Sequence, residues 1–232
     1  MDWMRRWKYR ALLIALLFLI VVYPTMRGAL AVRLVYEVLM ATVFLAALMI
    51  VFTPRTRFLA VALGAPTLVG LWTGYVLPDL PRVALGLSFH VAAVLFLAFT
   101  LITILTEVHR QDRVDADSIY GALGGYLLLG LGFGHLYCIL ETVTPGSFRV
   151  TDEVLAQLRD EGHVHFQLTY FSLATLTTVG FGDIVPAKPG ARGLAVVEAM
   201  LGQFYVAALL GELIGKKVSQ ALADRRPGPD DP

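Results

Sequence analysis

Residues 175–186 read TLTTVGFGDIVP. Two hydroxyls, Thr177 and Thr178, precede Val179, glycines at 180 and 182 flank Phe181, and a carboxylate, Asp183, comes next. No general base stands beside a nucleophile here. The stretch offers backbone oxygen instead. Glycine permits positive φ, so alternating backbone handedness can turn successive carbonyls toward one side. A row of carbonyls around one axis can replace the water shell of a cation.

Composition narrows the setting. The chain has 232 residues, 57% of them hydrophobic and only 16% charged, whereas soluble domains carry about 25% charged residues. Mean hydropathy is +0.69. A net charge of +1 carries no nucleic-acid footprint. The single cysteine, Cys138, excludes an intrachain disulfide and a thiolate cluster, and reads as a small apolar helix residue. Of the five histidines, only His163 and His165 are close in sequence, so neither a resident metal nor a cofactor is expected. G-x-S-x-G, P-loop and H-E-x-x-H patterns do not occur, so an enzyme is not expected.

The elements around the stretch are set by length. A bilayer core needs about 20 apolar residues as a helix. Six segments approach this: 11–23, 34–52, 58–77 with Pro66 as an expected kink, 83–105 without a charge, 119–140 and 191–214. Residues 166–177 would form a helix of about 12 residues and about 18 Å, half a bilayer. Glycine-rich backbone at that depth is tolerated only where it is buried in protein or lines a watery cavity. The expectation is an all-α membrane protein: six transmembrane helices with a re-entrant helix between the fifth and sixth. Lys and Arg concentrate near residues 5–10, 55–57, 110–113 and 216–226. That bias places both termini in the cytoplasm and residues 175–186 outside.

TTVGFGD resembles the selectivity filter of tetrameric potassium channels, with Phe181 where many members carry Tyr. The resemblance spans about 100 residues, from the fifth segment to the sixth. It suggests a bacterial-type six-span member without voltage-sensor arginines, passing K+ passively through a homotetramer in the cell membrane. It also implies roles. Carbonyls of Thr178, Val179, Gly180 and Phe181, with the Thr178 hydroxyl, would form stacked K+ sites completed by Gly182. Asp183 would raise negative potential at the outer mouth. Val185 takes a position where some members carry an aromatic ring. Thr177 would face the back of the filter, and Tyr170 would donate to Asp183. Ala174 replaces a carboxylate found in some members. Gly202 falls at the family's hinge glycine and Arg192 at a common basic position. Gln203, Val206, Leu210 and Ile214 would line the cavity.

Around this core, residues 1–115 read as a four-helix, voltage-sensor-like region, residues 116–220 as the pore domain and 221–232 as a disordered cytoplasmic tail. Working sensors carry 3–4 gating charges per subunit, but residues 83–105 carry none and Arg82 sits at their edge, so voltage dependence is expected to be weak or absent. No nucleotide- or calcium-binding domain is expected after Lys217. His90 reads as a hydrogen-bonded polar residue, and Glu37 as paired with Arg33 one turn earlier. Gly121/Gly125, Gly130/Gly134 and Gly211/Gly215 are small-xxx-small pairs suited to close helix packing. Glu198, a lone carboxylate inside the sixth span, is costly there. Either it braces the short helix through a hydroxyl such as Thr175 or Thr177, or it faces the outer vestibule ionised. The alternative functions are a non-conducting regulatory subunit of a K+ channel or transport system, and a transporter subunit built from pore loops.

Overall fold

A computed structural model describes residues 2–22, 38, 41–46, 54–76, 82–110, 115–152 and 164–223. Six named helices and two short strands run in the order α1 (Asp2–Val22), α2 (Pro54–Val76), α3 (Arg82–Arg110), α4 (Ala116–Val143), β1 (Phe148–Val150), α5 (Val164–Leu176), β2 (Ile184–Pro186) and α6 (Pro189–Ala223). Residues 38 and 41–46 are also helical. Most of the expected second span, the Arg33–Glu37 pair, His163 and the tail beyond 223 lie outside the described residues.

Among the described residues, three helices are long and apolar enough to cross a membrane: Val83–Arg110, Ala116–Val143 and Pro189–Gln220. Thr56–Gly70 is a shorter apolar stretch, inside an α2 that runs on past Pro66. The chain is a mostly helical membrane protein.

Helix α4 is the hub against which α1, α3 and α5 pack. Its start is set by Asp115, whose side chain accepts from the Ser118 backbone N–H at 2.8 Å, satisfying one of the first-turn donors. Its glycines let neighbours close in. A Cβ on Gly121 would meet the Tyr9 ring of α1 at 3.1 Å, one on Gly130 would meet Leu173 of α5 at 2.6 Å, and one on Gly134 would meet the Thr169 backbone at 2.9 Å. By contrast, Gly211 and Gly215 face open space in the single chain.

Two apolar clusters result. One joins Tyr9, Leu12, Leu16 and Leu19 of α1 to Phe96, Leu97 and Ile104 of α3 and to Leu128 and Leu131 of α4. The buried α1 residues recur at helical spacing, while Ile14, Phe18 and Val21 of the same helix are exposed. The second cluster joins Phe133 and Tyr137 of α4, Leu168 and Phe171 of α5, Ile184 and Ala195, with members on both sides of the TLTTVGFGD stretch in sequence.

Polar links tie the other end. Lys8 pairs with Glu107 at 2.5 Å. Lys216 of α6 donates to the Val108 and His109 carbonyls at 3.2 and 2.8 Å, a cation at the last turn of α3 where the helix dipole favours one.

The strands depart from the all-α expectation. β1 and β2 pair antiparallel, Phe148 opposite Pro186, Arg149 opposite Val185 and Val150 opposite Ile184. Each is a three-residue run too short to show a period in the sequence.

Candidate functional site

Helix α5 has 13 residues and ends at the polar stretch. Four carbonyls at a helix end lack intrahelical partners, and here all four are satisfied. Leu173 O accepts from the Thr177 N–H at 3.0 Å, Ala174 O from Val179 and Gly180 at 2.9 and 3.2 Å, and Thr175 O from Thr178 at 2.9 Å. Leu176 O accepts from the Tyr126 hydroxyl of α4 at 2.9 Å.

The pair Val179 N–H to Ala174 O and Thr178 N–H to Thr175 O is a Schellman motif, with Thr178 at the left-handed position that glycine usually fills. Thr178 has φ +59°. A β-branched residue there is a genuine outlier, costing about 1–2 kcal/mol. Positive φ returns at Gly180 (+55°) and Gly182 (+82°). The described backbone thus takes positive φ at every second residue from 178 to 182. Alternating handedness of this kind sorts amide N–H groups and carbonyls onto opposite sides. Residues 177–182 are exposed in the single chain, with Val179 53% and Phe181 69% exposed.

Beyond Gly182 the chain is anchored. Asp183 Oδ2 accepts from the Tyr170 hydroxyl at 2.8 Å, Oδ1 from the Ile184 N–H at 3.0 Å, and the Asp183 carbonyl from the Thr151 N–H at 3.0 Å. The Tyr170 and Phe181 rings stack, 6.0 Å apart and 11° from parallel. Val185 lies on β2 opposite Arg149 and is exposed. Arg192 Nε donates to Pro186 O at 3.2 Å. The Thr177 hydroxyl donates back to Leu173 O at 2.6 Å.

Glu198 is fully buried, so it does not face an open vestibule. It lies between three helices, bonded to the hydroxyls of Ser172 on α5 and Tyr137 on α4. The hydroxyl on α5 is therefore Ser172, not Thr175 or Thr177. Ser172 Oγ also donates to Gly130 O at 2.6 Å. One serine proton serves one of the two acceptors, Glu198 or Gly130 O.

Gly202 lies inside α6, which is helical throughout. A Cβ there would stand 2.5 Å from Leu176 O and 2.8 Å from Leu176 Cδ1. The glycine lets α6 press onto the end of α5, a packing reason for its identity beside the expected hinge. Gln203, Val206 and Ile214 are exposed along α6, while the Leu210 side chain lies outside the described residues.

Sequence reasoning missed Ser172, Tyr137 and Tyr126. It also missed Glu141, whose carboxylate accepts from the Gly146, Ser147 and Phe148 N–H groups at 2.7, 2.9 and 3.2 Å and shapes the turn before β1. A signal existed for that turn, in the Pro145-Gly146 pair.

The family model described as Ion channel matches residues 137–217, from the last part of α4 through the Thr178–Asp183 stretch to α6. Protein LctB of Bacillus caldotenax is 31% identical over 125 residues, 52% of this chain and 87% of the relative. This chain belongs to the ion channel family. Protein LctB of Geobacillus stearothermophilus is 30% identical over 109 residues, 45% of this chain and 75% of that protein. No solved structure matches. In the terms of this family, the matched residues make a membrane domain for passive ion conduction.

Proposed function

We propose that the protein is a potassium-selective channel in which four copies place their residues 178–182 around one axis in the cell membrane. The observation that carries this reading is positive φ at 178, 180 and 182 directly beyond a half-length helix. Carbonyls of Thr178, Val179, Gly180 and Phe181, with the Thr178 hydroxyl, coordinate dehydrated K+. Helix α5 enters the membrane and turns back, so its carbonyl end adds partial negative charge below the sites. Asp183, held by Tyr170, adds potential at the outer mouth.

The chain crosses the membrane six times, with both termini cytoplasmic and 116–220 as the pore domain. Residues 1–115 form a sensor-shaped scaffold without gating charges, so conduction depends weakly or not at all on voltage. Gln203, Val206, Leu210 and Ile214 line the inner cavity. The exposure of Val179 and Phe181 in one chain supports closure by further copies, because apolar surface beside a conduction path is otherwise left in water.

Purified full-length protein in liposomes tests the reading. K+ efflux exceeding Na+ efflux supports it, and absence of flux of either ion would favour a non-conducting regulatory subunit.

A further inference from the structure

The chain's histidines are scattered in sequence, yet three of them meet in space beside the single cysteine. His90 comes from α3, His135 and Cys138 from α4, and His165 from the first turn of α5. His90 Nδ1 lies 2.9 Å from His135 Nδ1. Cys138 Sγ lies 3.3 Å from His165 Nδ1. The His135 and His165 ring centroids are 4.5 Å apart, and those of His90 and His165 are 5.4 Å apart. One donor atom each from His90, Cys138 and His165 falls within 4.8 Å of the others. His135 is 1% exposed, and its Nε2 is buried without a hydrogen-bond partner.

Apolar packing does not account for this gathering. Three imidazoles gathered where three helices meet bring polar nitrogens into a partly buried region, and the buried His135 Nε2, without a hydrogen-bond partner, is costly there. A metal ion can take one donor from each of His90, Cys138 and His165 at once. Zinc binds sulfur at about 2.3 Å and imidazole nitrogen at about 2.0–2.1 Å, which puts two tetrahedral ligands about 3.6 Å apart. The Cys138–His165 pair already stands near that separation, and no pair within 4.8 Å needs to close by more than about 1.5 Å. A metal-bound histidine ordinarily hands its other ring nitrogen to a neighbour, which fixes tautomer and orientation. His135 is placed to serve His90 in that way.

We propose that His90, Cys138 and His165 bind one d10 transition-metal ion with affinity for nitrogen and sulfur, Zn2+ or Cu+, and that His135 positions His90. The donor set excludes the hard cations, which prefer oxygen. Binding converts the Cys138 thiol to thiolate and releases its proton to solvent. Because the ligands come from three helices, the ion cross-links α3 and α4 to the start of α5. The site is separate from the conduction path proposed above and stands or falls without it.

The full chain, purified in detergent and stripped with a chelator, is titrated with Co2+ as an optical stand-in for Zn2+. The expected result is an intense sulfur-to-cobalt charge-transfer band that saturates at one ion per chain. Cys138 is the only cysteine, so such a band identifies its ligand without any variant. Displacement at lower concentration by Zn2+ than by Cu+ assigns zinc, and the reverse order assigns copper. Cys138→Ser should abolish the band, and His135→Ala should weaken affinity by about 10–100-fold. No band at saturating Co2+ together with no uptake of Cu+ overturns the proposal, as does a band that persists in Cys138→Ser.

Discussion

The Tyr170 hydroxyl on α5 donates to the Asp183 carboxylate at 2.8 Å, across a turn of backbone that carries three positive φ angles. Ala174, whose methyl cannot bond Asp183, contributes only its carbonyl, to Val179 and Gly180. The stretch is therefore braced by one phenol and not by a pair of carboxyl groups sharing a proton.

Tyr170→Phe removes that brace and keeps the ring that stacks on Phe181. A neutral-to-charged hydrogen bond contributes about 1.5–3 kcal/mol. If residues 178–182 conduct, the variant inactivates faster, and the decay rate of either protein changes little with external pH. Macroscopic K+ currents after a step to saturating K+ check this. Identical decay in both proteins would leave Tyr170 as a packing aromatic.

Part of this site was legible in the residues themselves. The half-length helix showed because an apolar run too short to span stops at a glycine-rich stretch, and both features are local. The Tyr170–Asp183 bond was expected from the resemblance to tetrameric potassium channels, because a separation of 13 residues alone names no bond. The Glu198 contacts were not, since its partners lie 26 and 61 residues away on two other helices. Spacing on α6 alone names no partner. The histidine cluster was hidden for the same reason. Only His135 and Cys138, three apart on one face of α4, hint at it in the sequence, and a lone His–Cys pair names no further partner. The β1–β2 pair is set by tertiary register between two three-residue runs.

Glu198→Ala removes the carboxyl from between Tyr137 and Ser172. The buried Tyr137 hydroxyl then has no acceptor there, at a cost of about 1–3 kcal/mol. Glu198→Gln retains an acceptor for Tyr137 and adds an N–H donor for Ser172, whose proton already reaches Gly130. The Gln variant should therefore unfold close to wild type and the Ala variant well below it. Thermal unfolding of the detergent-solubilised assembly checks the order. Equal losses in the two variants would mean that the negative charge, not the hydrogen bonds, holds the site.

Gly202→Ala drives a methyl toward Leu176 O at 2.5 Å. That carbonyl is also fixed by Tyr126, so it cannot retreat without moving the end of α5. Overpacking of this kind costs about 1–3 kcal/mol. The expected outcome is a less stable protein. The measurement is thermal unfolding alongside single-channel open probability. Unchanged stability with altered opening would show that Gly202 acts as a hinge and that the contact relaxes freely.

Selection of K+ by the backbone oxygens of residues 178–181 is open to bi-ionic recording in planar bilayers, with K+ on one side and Na+ on the other. Coordination by those oxygens predicts a reversal potential displaced toward K+ by about 59 mV or more, which is a tenfold preference for a monovalent ion. It also predicts loss of the current in Gly180→Ala, where a side chain must occupy φ +55°. A wild-type reversal near zero would refute selection at these oxygens.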